Sequence, residues 1–273
     1  MKQGKALKHN IGIAKWYNDE LQDMCAKMFE DTAKGIKPLY TEYIAQDSAF
    51  DIIVELEKLR KKYTEFFYKY GKELAKKFLQ RSVKYANISV KRALEPIAKK
   101  ELKFALKGSI INDSNRDIVK MAIFTNVSYI RSIPEEYFKD ITGAVARSME
   151  SGGSIEQLAK WLEHTKGVTK RRAKLIAYDQ TRKIYSALSA QKMKDSGFTK
   201  VKWVHSHAGE VPRCFHVHKW DGKSEPPNGL NGYIFDINNP PVIQKAQGKR
   251  EEVRGLPGEL INCRCFLVPV EED

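Results

Sequence analysis

From Ile13 to Met193 apolar residues return every three or four positions, the spacing that lines one face of an α-helix. After Gly197 that spacing stops. Residues 206–262 instead hold most of the Gly and Pro turn signals: Pro226-Pro227, Asn228-Gly229, Asn231-Gly232, Pro240-Pro241 and Pro257-Gly258. The change of pattern constrains the fold more than any other feature. It predicts a mainly α N-terminal region of long amphipathic helices, followed by a small loop-rich α+β C-terminal module.

Within the helical part, Ile13, Trp16, Leu21, Met24 and Met28 outline a first helix, which Pro38 is expected to interrupt. Ile52, Leu56, Leu59, Tyr63, Phe66, Tyr70 and Leu74 predict a long amphipathic helix. Its apolar stripe faces either a core of this chain or another copy. A further helix is expected over 88–107, closed by Gly108 and kinked or broken at Pro96. Asp113-Ser114-Asn115 reads as a cap for a helix through Arg131. Ser132-x-x-Glu135, with Pro134 between, has the form of a capping box and predicts a new helix running to Gly152-Gly153. Ser154 caps a short helix with Ile155, Leu158, Trp161 and Leu162 inward. Another begins at Thr169 or Lys170 and ends at Gly197. Beyond it, Val201, Trp203 and His205 alternate as in a strand, and Phe266-Leu267-Val268 closes the module as a last strand. Trp203 and Trp220 read as core.

The 273 residues suffice for a substantial core. No apolar run is long enough for a transmembrane helix, and no secretory pattern follows the basic N-terminus. Four Cys are too few for a disulfide scaffold, which favours a reducing or particle interior. The net charge of +14 is unevenly placed: residues 58–107 hold 16 basic and 4 acidic residues, while residues 201–273 hold 9 and 10. The exposed face of the long helix carries Lys58, Arg60, Lys61, Lys62, Lys69, Lys72, Lys76 and Lys77. Such a face contacts nucleic-acid phosphates independently of base sequence, or is simply solvated, or meets an acidic protein surface.

Three of the four Cys, and His205, His207, His216 and His218, fall in the C-terminal module. Cys214-x-His216 and Cys263-x-Cys265 offer two pairs of soft ligands from two loops, the donor set that tetrahedral Zn(II) prefers. The plainer reading makes these Cys small buried residues and these His loop residues. A Cys/His catalytic pair is a third option, though no oxyanion loop or orienting residue accompanies it. Dinucleotide, P-loop, HExxH and GxSxG patterns do not occur.

The run RAKLIAYDQTRKIYSALSAQKMKDSGFTKVKW at 172–203 leads on to Arg213-x-x-His216, Trp220-Asp221-Gly222 and PGELINCRC at 257–265. In this order the segments resemble the phage Mu F-like minor head proteins, also called the head morphogenesis family, over about residues 130–270. Asp179, Gln180, Thr181, Arg213, Asp221, Gly222, Asn262 and Arg264 are the motif positions. Asn262 and Arg264 also have a plain reading as loop geometry. Tyr178 stands where the family usually has Arg, and Val217 stands where it often has Cys or His, so either His216 or His218 takes the ligand place.

The resemblance implies a non-enzymatic virion protein of a tailed bacteriophage, acting in head assembly, DNA packaging or genome delivery. The partners expected are the portal protein, the major capsid protein, packaged double-stranded DNA and other copies of the chain, with no membrane. The expected location is inside the head or at its portal vertex, and the host bacterial cytoplasm during assembly. It also favours one structural Zn(II) held by Cys214, His216 or His218, Cys263 and Cys265. The organisation expected is a basic helical region at 1–130, a helical lead-in at 131–197, and a compact module at 198–273. A rival reading is a zinc hydrolase or nuclease with Glu210 or Asp221 as base. Another is a cellular DNA-binding protein with a zinc module.

Overall fold

A computed structural model of the chain describes residues 1–41, 48–98, 113–150, 155–206, 223, 229–245 and 251–271. Helices α1 (Ile11–Thr41), α2 (Ser48–Leu94), α3 (Asp113–Glu150) and α4 (Ile155–Asp195) follow a short strand β1 (Lys2–Gln3). Strands β2 (Lys200–Val204), β3 (Ile234–Asp236), β4 (Val242–Gln244), β5 (Val253–Arg254) and β6 (Phe266–Glu271) complete the chain. Mainly helical structure followed by a small antiparallel strand module is the fold class that the change of pattern at Gly197 predicts.

The chain forms two compact units, each assembled from separated segments. A helical unit takes Ala14–Phe78 and Ile123–Tyr178; a mixed unit takes Met1–Ile13, Leu79–Ala122 and Asp179–Asp273.

The core of the helical unit is aromatic. Tyr17, Tyr63, Phe67, Phe78, Tyr137 and Phe138 are all under 2% exposed. Tyr17 stacks on Phe78 with ring centroids 4.3 Å apart, and Tyr63 lies 6.3 Å from Phe138. The Tyr17 hydroxyl donates to Asn126 Oδ1 at 2.9 Å, which satisfies a phenol that burial would otherwise penalise. The apolar stripe of α2 therefore packs within this chain, against α1 and α3. Its register departs from expectation: Phe67 and Gly71 are buried, whereas Phe66 is half-exposed and Tyr70 is 61% exposed. From Tyr63 a step of four turns a helix by about 400°, close to a full circle, while a step of three falls short by about 60°.

Three breaks expected from the sequence are absent. Pro38 lies inside the last turn of α1. Pro134 lies inside α3, so Ser132 caps nothing; its hydroxyl instead donates to the Tyr129 carbonyl at 2.8 Å and accepts from Arg172 Nη2 at 2.9 Å. A proline in a helix interior costs about 3 kcal/mol. Burial of Ile130, Ile133, Tyr137, Phe138 and Ile141 along the same helix offsets it, at about 1.5–3 kcal/mol per side chain. Helix α4 likewise runs through Gly167 without a second start at Thr169. Thr165 and Thr169 bond back to the carbonyls of Trp161 and Thr165. Trp161, expected inward, is 48% exposed with Arg147 stacked on it.

In the mixed unit, α2 ends at Leu94 and Pro96 follows directly, as is common past a helix C-terminus. Residues 88–94 are thus the end of α2 rather than the start of a new helix; residues 99–107 lie outside the described residues. Gly197, at φ 76°, closes α4: Phe198 N–H reaches the Met193 carbonyl and Gly197 N–H reaches that of Lys194. These are the two bonds of a Schellman stop.

The four-stranded sheet has the order β1-β6-β2-β3, antiparallel throughout. Val201 and Trp203 of β2 are fully buried, and Trp203 pairs with Leu267 of β6. Residues 2–7 run along β6, with Lys2 opposite Glu271 and Leu7 bridging Leu267. Between these pairings Lys5 N–H turns aside to the Ala93 carbonyl of α2 at 2.9 Å. The Ser89 and Tyr185 hydroxyls, 2.8 Å apart, join α2 to α4. Strands β4 and β5 form a separate antiparallel pair.

Candidate functional site

The motif segments at 179–189 and 257–267 meet in the mixed unit. Asp179, Gln180 and Thr181 are buried on α4. Asp179 Oδ2 pairs with Lys183 one turn on, at 2.8 Å. Against this helix lies the loop that starts Pro257-Gly258. Gly258 has φ 91°, and a Cβ there would stand 3.3 Å from the Arg182 carbonyl, so the position suits glycine on both counts. Asn262 takes φ 64°, a conformation that Asn tolerates better than most residues, and the Cys263 N–H closes the turn onto the Leu260 carbonyl.

Cys263 and Cys265 emerge from this turn as buried thiols. Cys263 Sγ accepts the Gly258 N–H at 3.3 Å. A sulfur that accepts an N–H bond in a buried loop is suited to thiolate character, and two buried cysteines separated by one residue fit half of a tetrahedral Cys/His site. The proposed remainder, Cys214, His216 and His218, lies outside the described residues, as do Arg213, Asp221 and Gly222. Glu259 follows Gly258, and burial, chiefly, raises its carboxyl above the ordinary value.

One neighbour of this junction was invisible in the motif pattern. His9, from the segment before α1, lines a narrow cleft with Arg182, Ser186, Ser189, Gly258 and Cys265. The cleft measures about 20 Å³, space for water rather than a substrate. Burial, then the charges of Arg182 and Arg264, push the His9 imidazole down to about 4. No spacing rule links residue 9 to residue 182; only β1 pairing with β6 brings them together. Cys25 stands apart on α1, buried and pushed up to about 12 by its apolar surroundings, so it is a packing residue rather than a nucleophile.

The basic residues named on α2 all lie in the helical unit, and all eight are exposed. Lys58, Lys61, Lys62, Lys69, Lys72 and Lys76 recur at helical spacing and form one stripe about 27 Å long at 1.5 Å per residue. Lys77 sits at its side, whereas Arg60 lies off it, sharing a groove wall with Arg131 of α3. Much of this charge is locally paired. Lys58, Arg60, Lys69 and Lys76 each meet a glutamate of α2, and Lys62 reaches Asp31 of α1 at 2.6 Å. Lys72 lies 4.0 Å from the centre of the Tyr68 ring. Exposed pairs of this kind are worth under about 1 kcal/mol and are screened by salt, so a polyanion competes with them readily.

The family model for Phage Mu protein F like protein matches residues 139–268, just under half of the chain. An uncharacterized protein of Haemophilus influenzae is 25% identical over 263 residues, 93% of this chain and 52% of that protein. The chain thus spans about half the length of the curated relative it matches. No solved structure matches. Over residues 139–268 the chain therefore shares the Phage Mu protein F-like resemblance, on the segments that meet at the α4 junction.

Proposed function

We propose that the chain is a minor head protein of a tailed bacteriophage, acting in head assembly, DNA packaging or genome delivery beside the portal. The observation that carries this reading is the Mu F-like match over 139–268, which spans the α4 junction and reaches into β6. The role is structural, and no catalytic step is assigned. Portal and major capsid proteins are the partners, and the virion is the location. Among the described residues no helix is long and apolar enough to cross a membrane.

In this reading the segments 1–130, 131–197 and 198–273 divide the work. The last two supply the docking module, and a Zn(II) held by Cys214, His216 or His218, Cys263 and Cys265 crosslinks its loops. The metal would contribute rigidity, since a structural zinc site adds its binding energy to folding. Cys263 and Cys265 support it by their burial, and Cys263 also by the N–H bond to its sulfur. The stripe of α2 contacts packaged duplex DNA through phosphates, without base recognition.

Electron microscopy of intact particles tests the assignment: density for the chain at the portal vertex is expected. Its absence from both filled heads and assembly intermediates would refute the reading. Metal analysis should find one zinc per chain, and chelation should loosen the loop at 257–265. Nuclease activity with added Zn or Mg would turn the assignment toward an enzyme.

A further inference from the structure

A groove between α2 and α3, inside the helical unit, has the composition of a phosphate seat. It measures about 380 Å³ and is lined by Arg60, Lys61, Thr64 and Tyr68 of α2 and by Arg131 of α3, with Glu65 and Glu135 also in its wall. The carboxylates are already engaged: Glu65 pairs with Lys69 and Glu135 accepts Arg131 Nε at 3.0 Å. Arg60 gives Nε and Nη2 to Glu57, both at 2.7 Å.

What remains after this pairing points to a ligand. A guanidinium carries five N–H donors in a planar fork. Arg131 uses only Nε among the described residues, so its two terminal nitrogens are left for another acceptor. The Lys61 ammonium and the Thr64 hydroxyl make no hydrogen bond among the described residues, and both line the same groove. Lys61 also belongs to the solvent stripe, so the groove opens beside the line of cations. The local field is positive: Lys72, and to a lesser degree Arg131, hold the Tyr68 phenol below its ordinary value.

We propose that this groove seats a backbone phosphate of duplex DNA, with Lys61 and Arg131 as its principal contacts and Thr64 as a further donor. This rests on the DNA reading above and narrows it. A terminal guanidinium pair plus an ammonium suits a tetrahedral, multiply accepting oxyanion. The lysines running on from it to Lys76, for about 22 Å, suit a ligand that repeats its charges, as a nucleic-acid strand does, better than one acidic side chain. Arg131, distant in sequence from the basic run, is thereby a binding residue that charge counting along α2 cannot find.

The test is titration of a labelled duplex of arbitrary sequence at several salt concentrations. It compares wild type, the pair Lys61→Ala/Arg131→Gln and the control pair Lys58→Ala/Lys76→Ala, whose partners Glu55 and Glu73 lie outside the groove. The groove pair should weaken binding at least tenfold and lower the salt slope by about one, since both residues hold the same phosphate, with the control pair weaker in its effect on affinity. Equal or greater loss in the control pair would overturn the groove while keeping the DNA reading. A second titration uses pyrophosphate, followed by the Arg131 Nε–H resonance. Saturable shifts that vanish with Lys61→Ala support the seat, even if wild type fails to bind duplex and the DNA reading falls. No shift with pyrophosphate overturns the seat itself. Preference for an acidic peptide over the duplex would also overturn it.

Discussion

In the helical unit the core is side chain against side chain: Tyr63 meets Phe138, Tyr17 meets Phe78, and among the described residues no backbone hydrogen bond crosses between its helices. In the mixed unit the backbone itself does the joining. Residues 2–7 pair with 266–271, Lys5 binds Ala93, and Gly258 presses on Arg182. A core that loses one side chain relaxes around the gap only in part. A sheet and loop assembled from three distant segments lose their register when one segment leaves.

The sharpest way to break this contrast is to remove residues 1–9. Loss of Leu7 burial alone is worth about 2–5 kcal/mol, before the lost strand bonds are counted. Hydrogen exchange should show β2, β6 and the end of α2 unprotected while the amides of residues 52–74 stay protected. Equal loss in both units would abolish the distinction. Next in size, Phe67→Ala and Trp203→Ala should each cost about 3–5 kcal/mol, since both side chains are fully buried. Exchange protection should fall in the helical unit for the first and in the mixed unit for the second.

Acid separates the units by range. His9 prefers its neutral form in the folded mixed unit, so its stabilisation is complete above the ordinary value of 6.5 and is lost as pH falls toward about 4. The slope is at most about 1.4 kcal/mol per pH unit, reduced by the solvent that reaches the ring. His9→Gln should flatten the melting temperature across that window. Asp31 in the helical unit is held below the usual carboxylate range by hydrogen bonds from Lys62 and then Tyr63. Its contribution is present above 3.8 and lost only as pH falls through that lower value, so Asp31→Asn should leave the pH 4–6.5 window unchanged. The smallest effect expected is Gly258→Ala, about 1–2 kcal/mol for a non-glycine residue at positive φ. A calorimetric melt unchanged by it would show that the loop can shift off Arg182.

The same contrast governs what could be read from the sequence. Long helices, the stop at Gly197, the strand with Trp203 and the closing strand at Phe266 were legible because hydrophobic period and turn chemistry are local signals. Pro134 misled because Ser132-x-x-Glu135 imitates a helix start, while the burial that carries α3 through it is tertiary. Phe66 and Phe67 are both aromatic, so only packing could choose the buried one. At the junction, Asp179–Thr181 and Cys263-x-Cys265 were named from sequence, but His9 and the approach of Gly258 to Arg182 depend on contacts between distant segments. Arg131 escaped notice for the same reason.

The strand pairing of residues 2–7 with 266–271 has a consequence in time. On a ribosome the first partner is made on the order of tens of seconds before the second, at about 5–20 residues per second. Throughout that interval residues 2–7 lack their sheet partner, and the helical unit, which ends at Tyr178, is synthesised within it and can fold. Completion of the mixed unit therefore waits until residues 266–271 have been made. A folded sheet in this unit therefore reports that synthesis has passed residue 271.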